Sequence, residues 1–392
     1  MTERRKVLYL LMAYAAMLAL PYVGGLIAEG GAFPPGYFNY PPTEALPKDH
    51  YNQVVFILVA ICFVAVVLLY LFPRLFGFRK VEIPLSPKPV KKKLPPWFWI
   101  GLVIWGVTLF VMWGKFSEPK WLLNWAILPL LWGFTLMLDG WLYRRTGGRT
   151  PLFDSSKEII GIGVAAMGGW MLFEYLNYFV DDNWVYPMAH LIPGEEFLLY
   201  AIVGSSGLMP PIFLLYSLMQ TFPRFKHRFD SGLKFVMPGW MKNALLLISL
   251  LSMFIIPFYP DKLFGILWIS PLLLISVVLD KIGLWTPFKP VGRGNWSPVL
   301  KFGLTYIIYG FLLEFWNFFS ATHDGSAVGI CFSPAHWTYS IPYVNVYHVW
   351  EMPLLGYLGY APFGIYTAVW WISFAFLLNI PSGFPELEEH DK

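Results

Sequence analysis

The sequence predicts an all-α protein: a polytopic bundle of about ten transmembrane helices in which a group of four is followed by a second, parallel copy of the same four. Three observations predict it. Hydrophobic residues make up 57% of the 392 and charged residues 13%, with a mean hydropathy of +0.55, against about 45–50% apolar and about 25% charged in soluble domains. Apolar runs of about 20 residues, enough to cross the hydrocarbon core, begin near Val7, Val54, Trp97, Trp121, Ile159, Glu196, Asn243, Leu263, Phe302 and Val349. A set of acidic and aromatic landmarks also occurs twice in the same order.

The N-terminal Met-Thr-Glu-Arg-Arg-Lys leads into the apolar run Val7 to Ile27, and no small-x-small cleavage site follows, so this run is read as a retained first span. Residues 1–95 then comprise two N-terminal helices and a linker rich in proline and lysine. Basic residues follow the second span (Arg74, Arg79, Lys80, Lys88, Lys91, Lys92, Lys93), the fourth (Arg144, Arg145, Arg149), the sixth (Arg224, Lys226, Arg228) and the eighth (Lys281, Lys289, Arg293). Every second loop is therefore expected in the cytoplasm, with both termini inside. The segments around Phe33 to Tyr51, Asp181 to His190 and Ala321 to Tyr347 are expected outside, and a prokaryotic inner membrane is the expected home. The net charge of +4 reports this topology and needs no nucleic-acid partner. Cys62 lies in an apolar run and Cys331 in an outer loop, so no intramolecular disulfide is expected.

The duplication spans residues 96–225 and 235–385. In the first copy Pro129 is followed by Asp139 after ten residues and Glu174 after 35 more; in the second Pro271 is followed by Asp280 after nine and Glu314 after 34. Each glutamate opens a Glu-x-x-Asn, ending in Asn177 and Asn317. Each is followed by a Trp-x-Tyr, Trp184 to Tyr186 and Trp337 to Tyr339, and then by further acids, Glu195 and Glu196 in one copy and Glu351 in the other. Parallel repeats of this kind pack about an axis along the membrane normal.

Glu174 and Glu314 should sit ~6 to 10 Å inside the interface, at 1.5 Å rise per residue. A carboxylate there costs a few kcal/mol, so it faces the bundle interior with a partner and marks either a polar clamp or a site. The i, i+3 spacing puts Asn177 and Asn317 on the same faces, where each amide can bond its carboxyl. Glu195 and Glu196, at a helix start, suit the positive end of the dipole whether or not they act. A carboxyl in an apolar site is pushed toward its protonated form and so can serve as a general acid. Glu174, Glu195, Glu196, Glu314 and Glu351 are the candidate acids. Asn177 and Asn317, with the rings of Trp170, Tyr175, Trp184, Tyr186, Trp316, Trp337, Trp350 and Tyr357, are the candidate lining, able to offer π-faces to a cationic intermediate or simply to pack. Asp139 and Asp280 close spans beside basic loops, where interfacial salt bridges are expected, and His348 is either a relay or solvated. There is no His-x-x-x-His, Asp-rich helix, phosphate loop or Cys-x-x-Cys-His, so neither metal nor cofactor is expected.

The order of these landmarks resembles the lycopene cyclase domain of the small integral-membrane type, known as two-subunit or fused bacterial and archaeal cyclases and in fungal bifunctional enzymes. Leu138-Asp139, Glu174-Tyr-Leu-Asn-Tyr-Phe, Trp184-Val-Tyr-Pro187 and Pro193-Gly-Glu195-Glu196-Phe-Leu-Leu-Tyr200 carry the likeness. The second copy keeps Asp280, Glu314, Trp337-Thr-Tyr339 and Glu351, with Trp350-Glu351-Met-Pro in place of Pro-x-Glu-Glu. The likeness covers roughly residues 121 to 220 and 263 to 375 and omits the first two helices. It implies a cofactor-free isomerisation in the bilayer, in which an acid protonates a terminal double bond of a carotenoid or other isoprenoid and a base removes a proton after ring closure. Departures are glutamate for aspartate at the second landmark and a long loop in the second copy. Two other classes stay open on the residues alone: a non-enzymatic subunit binding quinone or lipid in a membrane complex, and a transporter, for which Gly204 to Pro211 and Gly356 to Gly364 are the candidate broken helices.

Overall fold

The computed structural model describes residues 1–79, 91–324 and 327–383; Lys80, Lys88, the rest of the linker at 80–90 and the last two residues of the span 235–385 lie outside the described residues. Among the described residues, nine helical segments are long and apolar enough to cross a membrane, and the chain is an integral membrane protein. In chain order the helices used below are α1 (Glu3–Ala28), α2 (Gln53–Leu71), α3 (Pro96–Trp113), α4 (Ile127–Thr146), α5 (Ser156–Asn177), α6 (Gly194–Gly204), α7 (Pro210–Gln220), α8 (Gly239–Ile255), α9 (Ser270–Lys281), α10 (Ser297–Phe318) and α11 (Tyr360–Leu378). Helix α4 has twenty residues but carries Asp139, Arg144 and Arg145, which leaves it outside the nine.

Three of the apolar segments are interrupted by 3-10 turns: Ser205–Gly207 between α6 and α7, Phe264–Trp268 before α9, and Leu354–Gly359 before α11. Both candidate stretches contain a break: Gly204 to Pro211 at Ser205–Gly207, and Gly356 to Gly364 where the 3-10 turn gives way to α11 at Tyr360, after which the helix runs on through Gly364. Irregular backbone inside a bilayer is tolerated where it is enclosed by protein or lines a cavity, and these turns do line one, as described below.

Helices α10 and α11 pack so closely that a Cβ built on Gly364 would run into the Phe302 carbonyl oxygen and stand 2.8 Å from Tyr306 Cβ. Small residues permit such approach where apolar lipid gives no drive for association. Gly364→Ala is therefore expected to destabilise the protein by about 1–3 kcal/mol through overpacking. A melting curve of the detergent-solubilised variant that coincides with the wild type would refute this.

Helix α1 lies against α8 and α11: a Cβ on Gly24 would meet the Phe254 carbonyl, and the Tyr14 hydroxyl bonds Ser373. Helix α2 has no fully buried residue and presents most of its surface outward. The three segments expected outside, 33–51, 181–190 and 321–347, come together in one cap. Tyr186 N–H donates to the Pro42 carbonyl (2.8 Å), Tyr343 N–H to that of Asp49 (2.7 Å), and Ser340 N–H to that of Asn183 (2.8 Å). The strand β1 (Trp184–Val185) pairs antiparallel with β4 (Thr338–Tyr339), Val185 opposite Thr338; hairpins β2 (His323–Asp324) with β3 (Ala327–Val328) and β5 (His348–Val349) with β6 (Met352–Pro353) complete it. Both cysteines are free.

Candidate functional site

Glu174 near the end of α5 and Glu314 near the end of α10 are buried, at 3% and 0% exposure. Each is held by the Trp-x-Tyr that follows it. Glu174 Oε1 accepts from the Tyr186 hydroxyl at 2.5 Å and from Trp184 Nε1 at 3.3 Å. Glu314 Oε1 accepts from the Tyr339 hydroxyl at 2.7 Å, from Trp337 Nε1 at 3.3 Å and also from the Tyr360 hydroxyl. In both carboxyls Oε2 is buried without a hydrogen-bond partner among the described residues, a position that costs free energy unless something occupies it.

Asn177 and Asn317 do not bond the glutamates three residues before them. Their amides reach forward to the backbone of the same loops. Asn177 Nδ2 donates to the Trp184 carbonyl (2.9 Å) and its Oδ1 accepts from Asn183 N–H (2.8 Å). Asn317 Nδ2 donates to the Trp337 carbonyl (2.7 Å) and its Oδ1 accepts from Trp337 N–H (3.2 Å). The physical reason is competition: strand-end N–H and C=O groups turned from water must be satisfied, and a side-chain amide offers both a donor and an acceptor. Glu-x-x-Asn and Trp-x-Tyr thus form one clamp, made twice.

Lys48 fastens the two clamps to the N-terminal segment, its ammonium donating to the Val180 carbonyl (3.1 Å), Asn183 Oδ1 (2.8 Å) and the Ser340 carbonyl (3.0 Å). Burial holds that ammonium below its usual range, at about 8, and lifts the neighbouring Asp182 carboxyl to about 7.

Beneath the two clamps lies a cavity of about 450 Å³, within the range of small-ligand sites. Its wall is mostly apolar and aromatic: Trp170, Trp184, Trp268, Tyr306, Trp337, Phe363 and the interrupting turns at Ser205, at Phe264–Ile266 and at Leu355, Gly356, Leu358 and Gly359. Glu314, Tyr339, Tyr360, Tyr186, Asn183 and Lys262 supply polar groups to its lining, and Val55 and Val59 of α2 also border it. Trp268 stacks on Phe173 (5.0 Å between centroids) and meets Phe363 edge-on (5.7 Å).

Of the candidate acids, only Glu314 contributes to the cavity wall. Glu174 stands behind Trp184 and Tyr186, which do line it. Glu195 is exposed and Glu196 half-buried in the first turn of α6, neither on the wall, because that turn packs Phe197 inward and leaves the two acids facing away. Glu351 joins a different group: its Oε1 lies 2.6 Å from His323 Nε2 and 3.4 Å from His336 Nε2. Among the candidate rings, Trp170, Trp184, Tyr186 and Trp337 line the cavity. Tyr175 instead donates to the Leu18 carbonyl of α1 (2.7 Å), Tyr357 to the Val349 carbonyl (3.0 Å), and Trp350 packs among Phe311, Phe315, Phe318 and Phe319. Trp316 and Asn317 border a small separate void. Asp280 makes the expected ion pair, 2.5 Å from Lys242, but Asp139 is fully buried and accepts from Trp97 Nε1 (3.0 Å) and Leu152 N–H (3.2 Å). His348 is exposed, 3.3 Å from Asn345.

Tyr360, Trp268, Tyr306, Phe363 and Lys48 were not singled out by spacing, since an aromatic in a chain with 19% aromatic residues carries no local signal. The trio His323, His336 and Glu351 brings possible metal ligands together where no motif exists, because loop folding joins positions 13 and 15 residues apart. Burial holds the His336 imidazole well below its usual range, at about 4, and raises the Glu351 carboxyl against the opposing pull of His323. No family model, curated protein or solved structure matches the chain.

Proposed function

We propose that the cavity receives the end group of a carotenoid or other isoprenoid chain from the bilayer and that Glu314 supplies the proton that starts its cyclisation. One observation carries this reading: a buried carboxyl with one oxygen unpartnered forms part of the wall of an apolar, ring-lined cavity. Three donors converge on Oε1, which leaves Oε2 as the oxygen to bear a proton. Transfer of that proton to a terminal C=C gives a tertiary cation. The next C=C attacks it to close the ring, and the Glu314 carboxylate takes a proton back from the adjacent carbon. Atoms and electrons balance without redox change or cofactor. Trp268, Phe363 and Tyr306 present faces and edges to the cationic stage, and a water-poor wall protects it from capture. The reading brings substrate in past α2, whose Val55 and Val59 line the cavity and which has no fully buried residue.

We further read the chain as a duplication with ten spans, α4 being the tenth. The recurring clamp supports this, as does the antiparallel pairing of Trp184-Val185 with Thr338-Tyr339, the arrangement a two-fold axis between two copies produces. Both termini are assigned to the cytoplasm of a prokaryotic inner membrane on the basic loops. A His190→Cys variant, at an exposed cap position, is then expected to react with an impermeant thiol reagent from outside intact cells. Labelling only after lysis would reverse the orientation.

One observation favours a second reading. The clamp accounts for both glutamates without chemistry, and Glu174 stands off the wall, which suits a non-catalytic subunit that binds quinone or lipid. Expression in a lycopene-accumulating host followed by pigment chromatography separates the two. Cyclised product supports the enzyme; unchanged lycopene, with an isoprenoid or quinone co-purifying with the protein, supports the binding subunit.

A further inference from the structure

The cap holds a second cluster whose chemistry differs from that of the cavity. We propose that His323, His336 and Glu351 form a site for one divalent transition-metal ion of the zinc class, pinning the long loop of the second half. Their ligand atoms lie within 4.8 Å of one another. Ligands ~2.0–2.1 Å from a tetrahedral zinc stand about 3.3 Å apart. The 3.4 Å between His336 Nε2 and Glu351 Oε1 already has that value, and the 2.6 Å between His323 Nε2 and Glu351 has only to widen.

His336 is the independent sign. Its side chain is wholly buried and its Nε2 has no hydrogen-bond partner among the described residues. Its other ring nitrogen is accounted for: the Ser320 hydroxyl donates to the Asn317 carbonyl at 2.6 Å, so its oxygen accepts from Nδ1 at 3.1 Å. The proton therefore sits on Nδ1, which leaves Nε2 an acceptor 3.4 Å from a carboxylate oxygen. Two acceptors facing each other in a buried site are unfavourable unless a cation lies between them. An outer partner on the distal nitrogen is also how metal-ligating histidines are oriented. The other two ligands are equally fixed. The His323 ring stacks on Phe318 at 4.2 Å and 10°, and Glu351 lies in the turn between β5 and β6 beside Trp350, whose φ is +60°.

Two imidazoles and one carboxylate select zinc or a similar borderline ion over magnesium or calcium, which take oxygen sets, and leave a coordination position open. The placement gives the ion a task. Ala335 and Trp337, on either side of His336, and Met352, next to Glu351, all line the cavity, so the ion would tie the roof together whatever the cavity binds.

The test uses the full chain, purified in detergent, stripped with a chelator and dialysed against Zn²⁺, Co²⁺, Mg²⁺ or Ca²⁺. The wild type is expected to retain about one Zn²⁺ or Co²⁺ per chain, with a raised melting temperature, and neither Mg²⁺ nor Ca²⁺. His323→Ala and Glu351→Gln should each weaken Zn²⁺ binding by at least about 100-fold, since losing even an outer partner costs about 10–100-fold. Because a His336→Ala chain can fail to fold, the half-exposed His323 carries the decision. Equal zinc content in the wild type and His323→Ala, whether high or nil, would overturn the proposal and leave the trio a histidine–glutamate ion pair.

Discussion

Glu314→Gln is expected to lower polyene conversion by about 10²-fold or more, the usual contribution of a positioned general acid, at unchanged membrane abundance. The substitution separates proton transfer from architecture. A glutamine Oε1 still accepts from Trp337 Nε1 and from the hydroxyls of Tyr339 and Tyr360, so the clamp stays closed. The amide nitrogen takes the place of Oε2, the oxygen that has no partner to lose. Only the transferable proton disappears. Glu174→Gln is the internal control: its carboxyl makes the same kind of clamp but stands outside the cavity wall, and its effect should be several-fold at most. Measuring pigment conversion by both variants, normalised to protein in the membrane, decides the matter. Full activity in Glu314→Gln would end the catalytic reading, and equal loss in both would point to the clamp instead of the proton.

Asn177→Ala and Asn317→Ala are each expected to destabilise the protein by about 2–4 kcal/mol, because each leaves an N–H and a C=O unpaired, buried at Asn177 and part-buried at Asn317, at about 1–3 kcal/mol apiece. The two losses should be alike, since Asn177 serves Asn183 N–H and the Trp184 carbonyl as Asn317 serves the N–H and carbonyl of Trp337. Asp at either position keeps the acceptor and loses the donor, and should fall between. Thermal or denaturant unfolding of the solubilised variants reads this directly. Melting at the wild-type temperature in both alanine variants would show that the loops hold without the amides.

The membrane class and helix positions were legible in the sequence because a span is a local property: some twenty apolar residues must satisfy their own backbone within one helix. The pairing of Glu-x-x-Asn with a later Trp-x-Tyr was legible as recurrence, since both members appear twice in the same order. How they pair was not. Spacing placed Asn177 and Asn317 beside their glutamates, and only the folded loops show a stronger claim on those amides. Burial depth likewise did not follow from position along a run. Glu195 and Glu196 begin a helix as Glu351 precedes one, yet the first two turn away from the cavity and the third meets two histidines. By itself, the sequence determined that the chain is a membrane protein, roughly where its long apolar helices run, and that Glu174 and Glu314 lie within two of them. Tertiary structure decided which acid meets the cavity, that interrupted helices form its wall, and that Lys48, His323, His336 and Glu351 find their partners across the cap. Such contacts join residues up to 292 positions apart, and they depend on loop closure and packing, which no local periodicity encodes.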